Sequence, residues 1–324
     1  MKKLLFRADG STQTGLGHIM RCLALADMLG DTFDRRFAIQ HSSDAVLKLL
    51  AKHNVPVLEL QSNEVGELLT HISDGDVVIL DGYTFDEAFQ RAVREKAHKL
   101  VFIDDLVSGH QVADVVINHV GDVTAAEYQT EPYTTLLLGA HYALVNPAFV
   151  QKAQPKDGEN KAFVNMGGVD LHNVSHQVVD LLLSINPSLR ITLALGAANL
   201  HADTFADFPK ESLSVQKNLS AKQMARAIGG SGLSVVAAST IAYEVASISR
   251  PMIIIQTADN QARMVSFMRN RHLVLGALTL PIATDQLALA VKKARLTPSV
   301  FKQRIVFDGK ATDRFRQVFT QLCV

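Results

Sequence analysis

From its first residues the chain alternates short apolar runs with stretches of helical period. KLLF leads into IMRCLALADML, RRFAIQ into DAVLKLLAKH, VPVLEL into EVGELLTHI and DVVILDGY into DEAFQRAVREKA, with LVFIDD and DVVINH following. The apolar runs are dense in Val, Ile and Leu and show no polar alternation. That is the pattern of strands covered on both faces, and strands alternating with helices imply βαβ units around a parallel sheet. Near residue 150 the texture breaks. QKAQPKDGENK is polar and carries Pro155 and Gly158, a linker composition. The alternation then restarts with KAFVNMGG and a helix from about His172, followed by RITLALG, SVQKNLS, AKQMARAI, LSVVAAS, TIAYEVASI, PMIIIQ and NQARMVSFMRN. The pattern predicts two doubly wound, Rossmann-like α/β domains, 1–150 and 151–324, with the last helix free to pack back on the first. Ligands in such sheets bind outside the carboxyl ends of the strands. Both domains are therefore expected to offer their strand-to-helix loops to one cleft.

Length and composition agree with this and narrow the partners. A chain of 324 residues suggests about two cores, and 48% hydrophobic with 20% charged residues is a globular composition. Lys+Arg and Asp+Glu are equal at 32 each, so no basic field exists to hold nucleic acid or an anionic membrane, and an anionic ligand must be held locally. Two cysteines far apart, Cys22 and Cys323, argue against a disulfide scaffold and fit a reducing, cytoplasmic compartment. MKKLLFRADG begins like a signal peptide, but the apolar run ends at Phe6, which reads as a first strand instead. No run approaches the roughly 18 apolar residues of a membrane helix. The oligomeric state is not legible.

The candidate chemistry lies in the loops. RADGSTQTGLGHIMRCLALA, from Arg7 to Ala26, puts a glycine-rich turn before a helix. Gly15-Leu16-Gly17 is followed by Met20 where a dinucleotide fingerprint needs its third Gly, and the second strand ends in Gln40 and His41, not an acid. The Gly-Lys-Ser/Thr of a phosphate-binding Walker loop is also lacking. The glycines still let a ligand approach the backbone. His18 falls in the first helical turn, where the helix dipole disfavours positive charge, and a neutral imidazole facing a cleft is suited to take a proton from water. The alternative is a histidine that only caps or packs.

In the second half, NMGGVD places Gly167 and Gly168 where backbone N–H groups can meet a phosphate. AASTIAYE sets Ser239 and Thr240 at the next helix start, suited to a pyrophosphate. Glu244 lies one turn on, where a carboxylate can accept both hydroxyls of a ribose. QTADNQA supplies Asn260 and Gln261, whose amides can bond a sugar. For each loop the alternative is a plain N-cap. Asp81 and Tyr83 end another first-domain strand on the ligand rim. Asp104 and Asp105 suit turn caps better than active-site acids. His172 and His176 are four apart but lack a third ligand, which argues against a metal. The Met and Phe residues of RMVSFM read as core.

Taken together, these residues resemble one family, the UDP-sugar hydrolases of pseudaminic acid (nonulosonic acid) biosynthesis. Those enzymes act on UDP-2,4-diacetamido-2,4,6-trideoxy-β-L-altropyranose and are relatives of the glycosyltransferase that makes lipid II. RADGSTQTGLGHIMRCLALA, LDGYTF, GAHYALVNPAF, VNMGGVD, ASTIAYEVASISRPMIIIQTADNQ and FDGKATDRF carry the resemblance in the family's order. It implies the two-domain B-type glycosyltransferase fold, His18 as the group that activates water, and Tyr83 on the sugar side. It also implies UDP held by Gly167, Gly168, Ser239, Thr240 and Glu244, with Asn260 and Gln261 reaching sugar and diphosphate. Arg7, Asp9, Gly15, Gly17 and Asp81 are expected as further substrate contacts. Where the family more often has Gly-Gly before Ser-Thr, this chain has Ala237 and Ala238. The implied reaction is attack of water at the anomeric carbon with inversion, and it calls for no metal or cofactor. The rival readings are a glycosyltransferase of the same fold in surface polysaccharide synthesis and a non-catalytic nucleotide-sugar binder.

Overall fold

The computed structural model describes residues 2–10, 16–40, 44–150, 160–196, 199–294 and 299–323. The polar segment read as a linker (151–159), Gly15 and His41 lie outside the described residues. The chain divides into two compact units, Met1–Leu144 with Lys310–Val324, and Val145–Gly309.

In unit 1 the order is β1 (Lys2–Ala8), α1 (Gly17–Leu29), β2 (Phe33–Gln40), α2 (Asp44–Lys52), β3 (Val57–Leu60), α3 (Val65–Thr70), β4 (Asp76–Asp81), α4 (Glu87–Lys96), β5 (Lys99–Ile103), β6 (His110–Gln111), β7 (Val115–Asn118), β8 (Gln129–Thr130) and β9 (Thr135–Leu138). The main sheet runs β3-β2-β1-β4-β5-β7-β9, every pair parallel. Successive residues of its central strands enter two different cores. Leu4, Phe6, Val77 and Ile79 pack under α1, while Leu5, Val78 and Leu80 pack with Leu68 and Val93 of α3 and α4. A two-residue side-chain period with both phases buried is why these runs show no polar alternation.

In unit 2 the order is β10 (Lys161–Asn165), α5 (Val174–Ile185), β11 (Arg190–Leu195), β12 (Leu213–Lys217), α6 (Ala221–Gly229), β13 (Leu233–Ala237), α7 (Thr240–Ile248), β14 (Met252–Gln256), α8 (Ala262–Asn270), β15 (Gly276–Thr279), α9 (Thr284–Ala294) and α10 (Ser299–Val306). Its sheet is β12-β11-β10-β13-β14-β15, again parallel throughout. Gly196 is required by close approach, because a Cβ there would collide with the Gly168 carbonyl.

The final helix, α11 (Ala311–Leu322), belongs to unit 1. Phe315, Phe319 and Cys323 are buried in the core that holds Ile19, Cys22 and Leu23 of α1. The Arg316 Nε donates to the Met28 carbonyl at 2.8 Å, closing the end of α1. Among the described residues no helix is long and apolar enough to cross a membrane.

Candidate active site

Each sheet has one point where the strand order reverses, and a ligand crevice opens there because the loops after the two neighbouring strands run to opposite faces. In unit 1 that point lies between β1 and β4, and in unit 2 between β10 and β13. The loop and helix after β1 carry His18, the end of β4 carries Asp81 and Tyr83, the turn after β10 carries Gly167 and Gly168, and the helix after β13 carries Ser239, Thr240 and Glu244. The candidate residues thus gather at the switch point of their own sheet.

The unit 1 cluster is built on a buried carboxylate. Asp81 is fully buried, and its Oδ1 lies 2.6 Å from the His18 Nδ1. Arg21, one turn after His18 on the same face of α1, donates from Nε to Asp81 Oδ2 at 3.0 Å and from Nη2 to Oδ1 at 2.6 Å. Its Nη1 reaches the Asp105 Oδ2 at 2.5 Å. A carboxylate gripped by a guanidinium fork is ionised and only accepts, so the short contact makes His18 Nδ1 the donor and leaves Nε2 as the basic nitrogen of the ring. The 2.8 Å separation of Arg21 Nη2 and His18 Nδ1 is then the approach of two donors to one oxygen. Burial opposes the charge of Arg21, but the carboxylates of Asp81 and Asp105 more than offset it and raise its pKa. Tyr83, 57% exposed, meets the His18 ring edge-on with centroids 4.8 Å apart, and its hydroxyl donates to Asp105 Oδ2 at 3.4 Å. These side chains line a cavity of about 330 Å³ that continues past Phe85 and Leu106 to Ser108, His110 and Gln111.

Several expectations change here. Asp81 does not present itself to a substrate, since its oxygens are buried on His18 and Arg21; it orients the histidine instead. Arg7, only 1% exposed, spends its guanidinium on Asp9 (2.5 and 2.8 Å), on Asn63 and over the Phe85 ring. Asp9 also accepts from the Gln40 N–H at 2.8 Å, so the pair fixes the ends of β1 and β2. Gly17 opens α1 with free space where a Cβ would project. The adjacent acids divide their roles. Asp104 caps its turn, accepting from the N–H groups of Leu106 and Val107 at 3.0 Å each, whereas Asp105 pairs with Arg21. Arg21 is the residue of this cluster that the sequence reading missed, and Asp105, read there as a turn cap, is its partner. The signal for Arg21 was a lone arginine inside the apolar run IMRCLALA, three residues after His18.

In unit 2 the two helix starts expected to meet the diphosphate differ in structure. At α5 the Asp170 carboxylate takes the N–H groups of Val174 (2.8 Å) and Ser175 (3.0 Å), so that helix end, expected to meet phosphate, is already capped by an anion. At α7, Ser239 occupies the cap position, yet its hydroxyl makes no capping bond. The Ala242 N–H turns to the Ser239 carbonyl at 2.8 Å, and the start of α7, unlike that of α5, keeps the positive end of a helix without an anionic side-chain cap. Gly167, at φ +88, turns the chain after β10, and its N–H is held by Asn165 Oδ1 at 3.1 Å. Glu244 is half-buried on α7 and makes no hydrogen bond or ion pair among the described residues; burial pushes its carboxyl up, to about 8. Asn260 is exposed, while Gln261 folds back on Thr257, accepting from its N–H at 2.8 Å, so the amide acts as a loop brace. His176 packs its ring against Phe205 and Phe208, with centroids 5.7 and 5.1 Å away, and His172 is exposed. Among the described residues no three His, Cys, Asp or Glu side chains converge as metal ligands.

The fold defined by these two parallel sheets is that of the B-type glycosyltransferases. MurG of Acinetobacter baumannii superposes with a TM-score of 0.65 at 14% identity, covering 99% of this chain and 100% of that one. The calicheamicin glycosyltransferase CalG4 gives 0.69 at 11%, covering 99% and 98%. Anabaena HepE, solved with UDP and glucose, gives 0.61 at 13%, covering 99% of each. No family model matches the chain. In sequence it is 26% identical over 249 residues to the UDP-2,4-diacetamido-2,4,6-trideoxy-β-L-altropyranose hydrolase of Campylobacter jejuni, an alignment spanning 75% of this chain and 87% of that protein. The resemblance read from the motifs is thus present across most of the chain. The protein MJ1062 of Methanocaldococcus jannaschii is also 26% identical, over 276 residues, 78% of this chain and 55% of that protein.

Proposed function

We propose that this chain hydrolyses a UDP-linked deoxy-diacetamido sugar to UDP and free sugar, by attack of water at the anomeric carbon with inversion, in nonulosonic acid synthesis of the pseudaminic type. The observation that carries the reading is the His18–Asp81 contact at 2.6 Å, which commits Nδ1 and leaves Nε2 as the base on a cavity wall. The water oxygen bonds to the anomeric carbon, its proton goes to His18, and the bond from that carbon to the diphosphate oxygen breaks. The leaving diphosphate is stabilised by the open N-terminus of α7 with the Ser239 and Thr240 hydroxyls, and Glu244 accepts from the ribose. Tyr83, exposed beside His18, contacts the sugar. The 26% identity to the Campylobacter jejuni hydrolase supports this reaction. Attack on phosphorus would call for metal-binding carboxylates or a cationic clamp at the diphosphate. The α7 start offers N–H groups and hydroxyls instead, which suit a leaving group.

CalG4, which shares the fold, is a glycosyltransferase. That favours a second reading, in which His18 deprotonates an acceptor hydroxyl in place of water. One experiment separates them. The protein is incubated with the UDP-sugar in ¹⁸O-labelled water without acceptor, and the products are weighed by mass spectrometry. Hydrolysis at carbon puts the label in the free sugar and none in UDP. Release of UDP only when an acceptor is added establishes transfer, and label in the UDP phosphate overturns both.

A further inference from the structure

We infer that Arg21 is a positioning residue for His18, and that Asp105 anchors Arg21 in that role. The inference rests on the reading of His18 as the base. A histidine held by an unmatched carboxylate tends to become that carboxylate's cation, and an imidazolium takes no proton from water. Here Asp81 has a permanent cation of its own. The Arg21 fork engages both of its oxygens, at 2.6 and 3.0 Å, so Asp81 is free to accept from His18 Nδ1 and hold the ring without requiring its charge. The fork is in turn fixed from the far side, where Asp105 takes Nη1 at 2.5 Å and also receives the Tyr83 hydroxyl at 3.4 Å. One guanidinium therefore sets the orientation of the base, and through Asp105 the same network reaches the aromatic ring beside it.

The groups facing this network come from four places. Arg21 and the Cys22 thiol lie on α1, Asp81 and Tyr83 at the end of β4, Asp105 after β5, and His119 after β7. Neither Cys22 nor His119 competes for the countercharge. Burial, with Asp81 beside it, pushes the Cys22 thiol well up, so it stays protonated. Burial, with Arg21 nearby, pushes His119 down to about 3, so it stays neutral. Arg21 is the cation that balances Asp81.

The test follows the protonation of His18 itself in the full-length protein, by NMR of ¹⁵N-labelled histidine against pH, alongside the pH profile of kcat. In Arg21→Gln, Asp81 is left unmatched beside the ring, and the His18 midpoint is expected to rise by about one pH unit or more, carrying the acid limb of kcat upward with it. Arg21→Lys restores the charge without the fork; its midpoint stays within about half a unit of the unmodified protein, while kcat lies between the other two. Asp105→Asn keeps the Arg21 charge but frees its Nη1, so the fork loosens and the His18 ring is expected to become a mixture of Nδ1–H and Nε2–H tautomers in its ¹⁵N shifts. An unmoved midpoint in Arg21→Gln, or Arg21→Lys behaving like Arg21→Gln, overturns the inference. If Arg21→Gln does not fold, Asp105→Asn decides: a His18 ring that keeps its single Nδ1–H tautomer there overturns the inference equally. A protein that turns over no UDP-sugar defeats the proposed function, and the NMR midpoints still decide the role of Arg21.

Discussion

Asp81 is fully buried and Glu244 half-buried, and the two carboxylates meet opposite surroundings. Asp81 is matched by the Arg21 fork and holds His18. Glu244 has no partner among the described residues, and burial raises its carboxyl from 4.5 to about 8. The raised value has a definite sign. The folded protein binds a proton at Glu244 that the unfolded chain has released, so stability present below about 4.5 falls as pH rises toward about 8. Urea unfolding across that window is expected to show the decline, and Glu244→Gln to flatten it. A ribose whose two hydroxyls donate to this group favours its ionised form, so UDP binding near neutral pH should release a proton. Calorimetry in buffers of different ionisation enthalpy reads that release directly, and Glu244→Gln should abolish it. At His18, replacement by Asn keeps the size of the ring's polar edge but removes the base, and kcat is expected to fall on the order of 10²–10⁴-fold with the dissociation constant for UDP unchanged.

The helices α5 and α7 both follow strands at the switch point of their sheet and differ in what caps them. Asp170 caps α5, so Asp170→Ala should destabilise unit 2 by roughly 0.5–2 kcal/mol in denaturant unfolding. The Ser239 hydroxyl makes no capping bond at α7, so Ser239→Ala should cost stability little but weaken UDP binding, visible as a several-fold rise in Kd. The contrast also shows where sequence reading succeeds. Strands such as β4, buried along its whole length, announce themselves by composition because both faces meet helices. His18, Ser239 and Glu244 stand at strand-to-helix junctions, which local pattern locates. Arg21 was not legible because its meaning comes from Asp81 and Asp105, 60 and 84 residues away in the chain. Asp104 and Asp105 are chemically identical neighbours, and only the turn after β5 decides which caps and which pairs. The strands β6 and β8, two residues each, have no period to read.

At the scale of the molecule, unit 1 is made of two separated stretches of chain, and α11 supplies part of its core. Phe315 and Phe319 are fully buried in the core they share with α1, so either changed to Ala is expected to destabilise unit 1 by about 3–5 kcal/mol. Circular dichroism melts should show the loss of unit 1 ahead of unit 2 in such variants.

That discontinuity also sets a timetable for synthesis. A ribosome adding roughly 5–20 residues each second needs about 9 to 36 seconds between residue 144 and the end of α11. During that interval Phe33 lacks its edge-on contact with Phe319, and the core around α1 lacks Phe315 and Cys323 while Val145–Gly309 is made. A transcript broken before codon 311 yields a chain that holds every residue of the His18–Arg21–Asp81 cluster yet lacks the helix that completes the packing of α1.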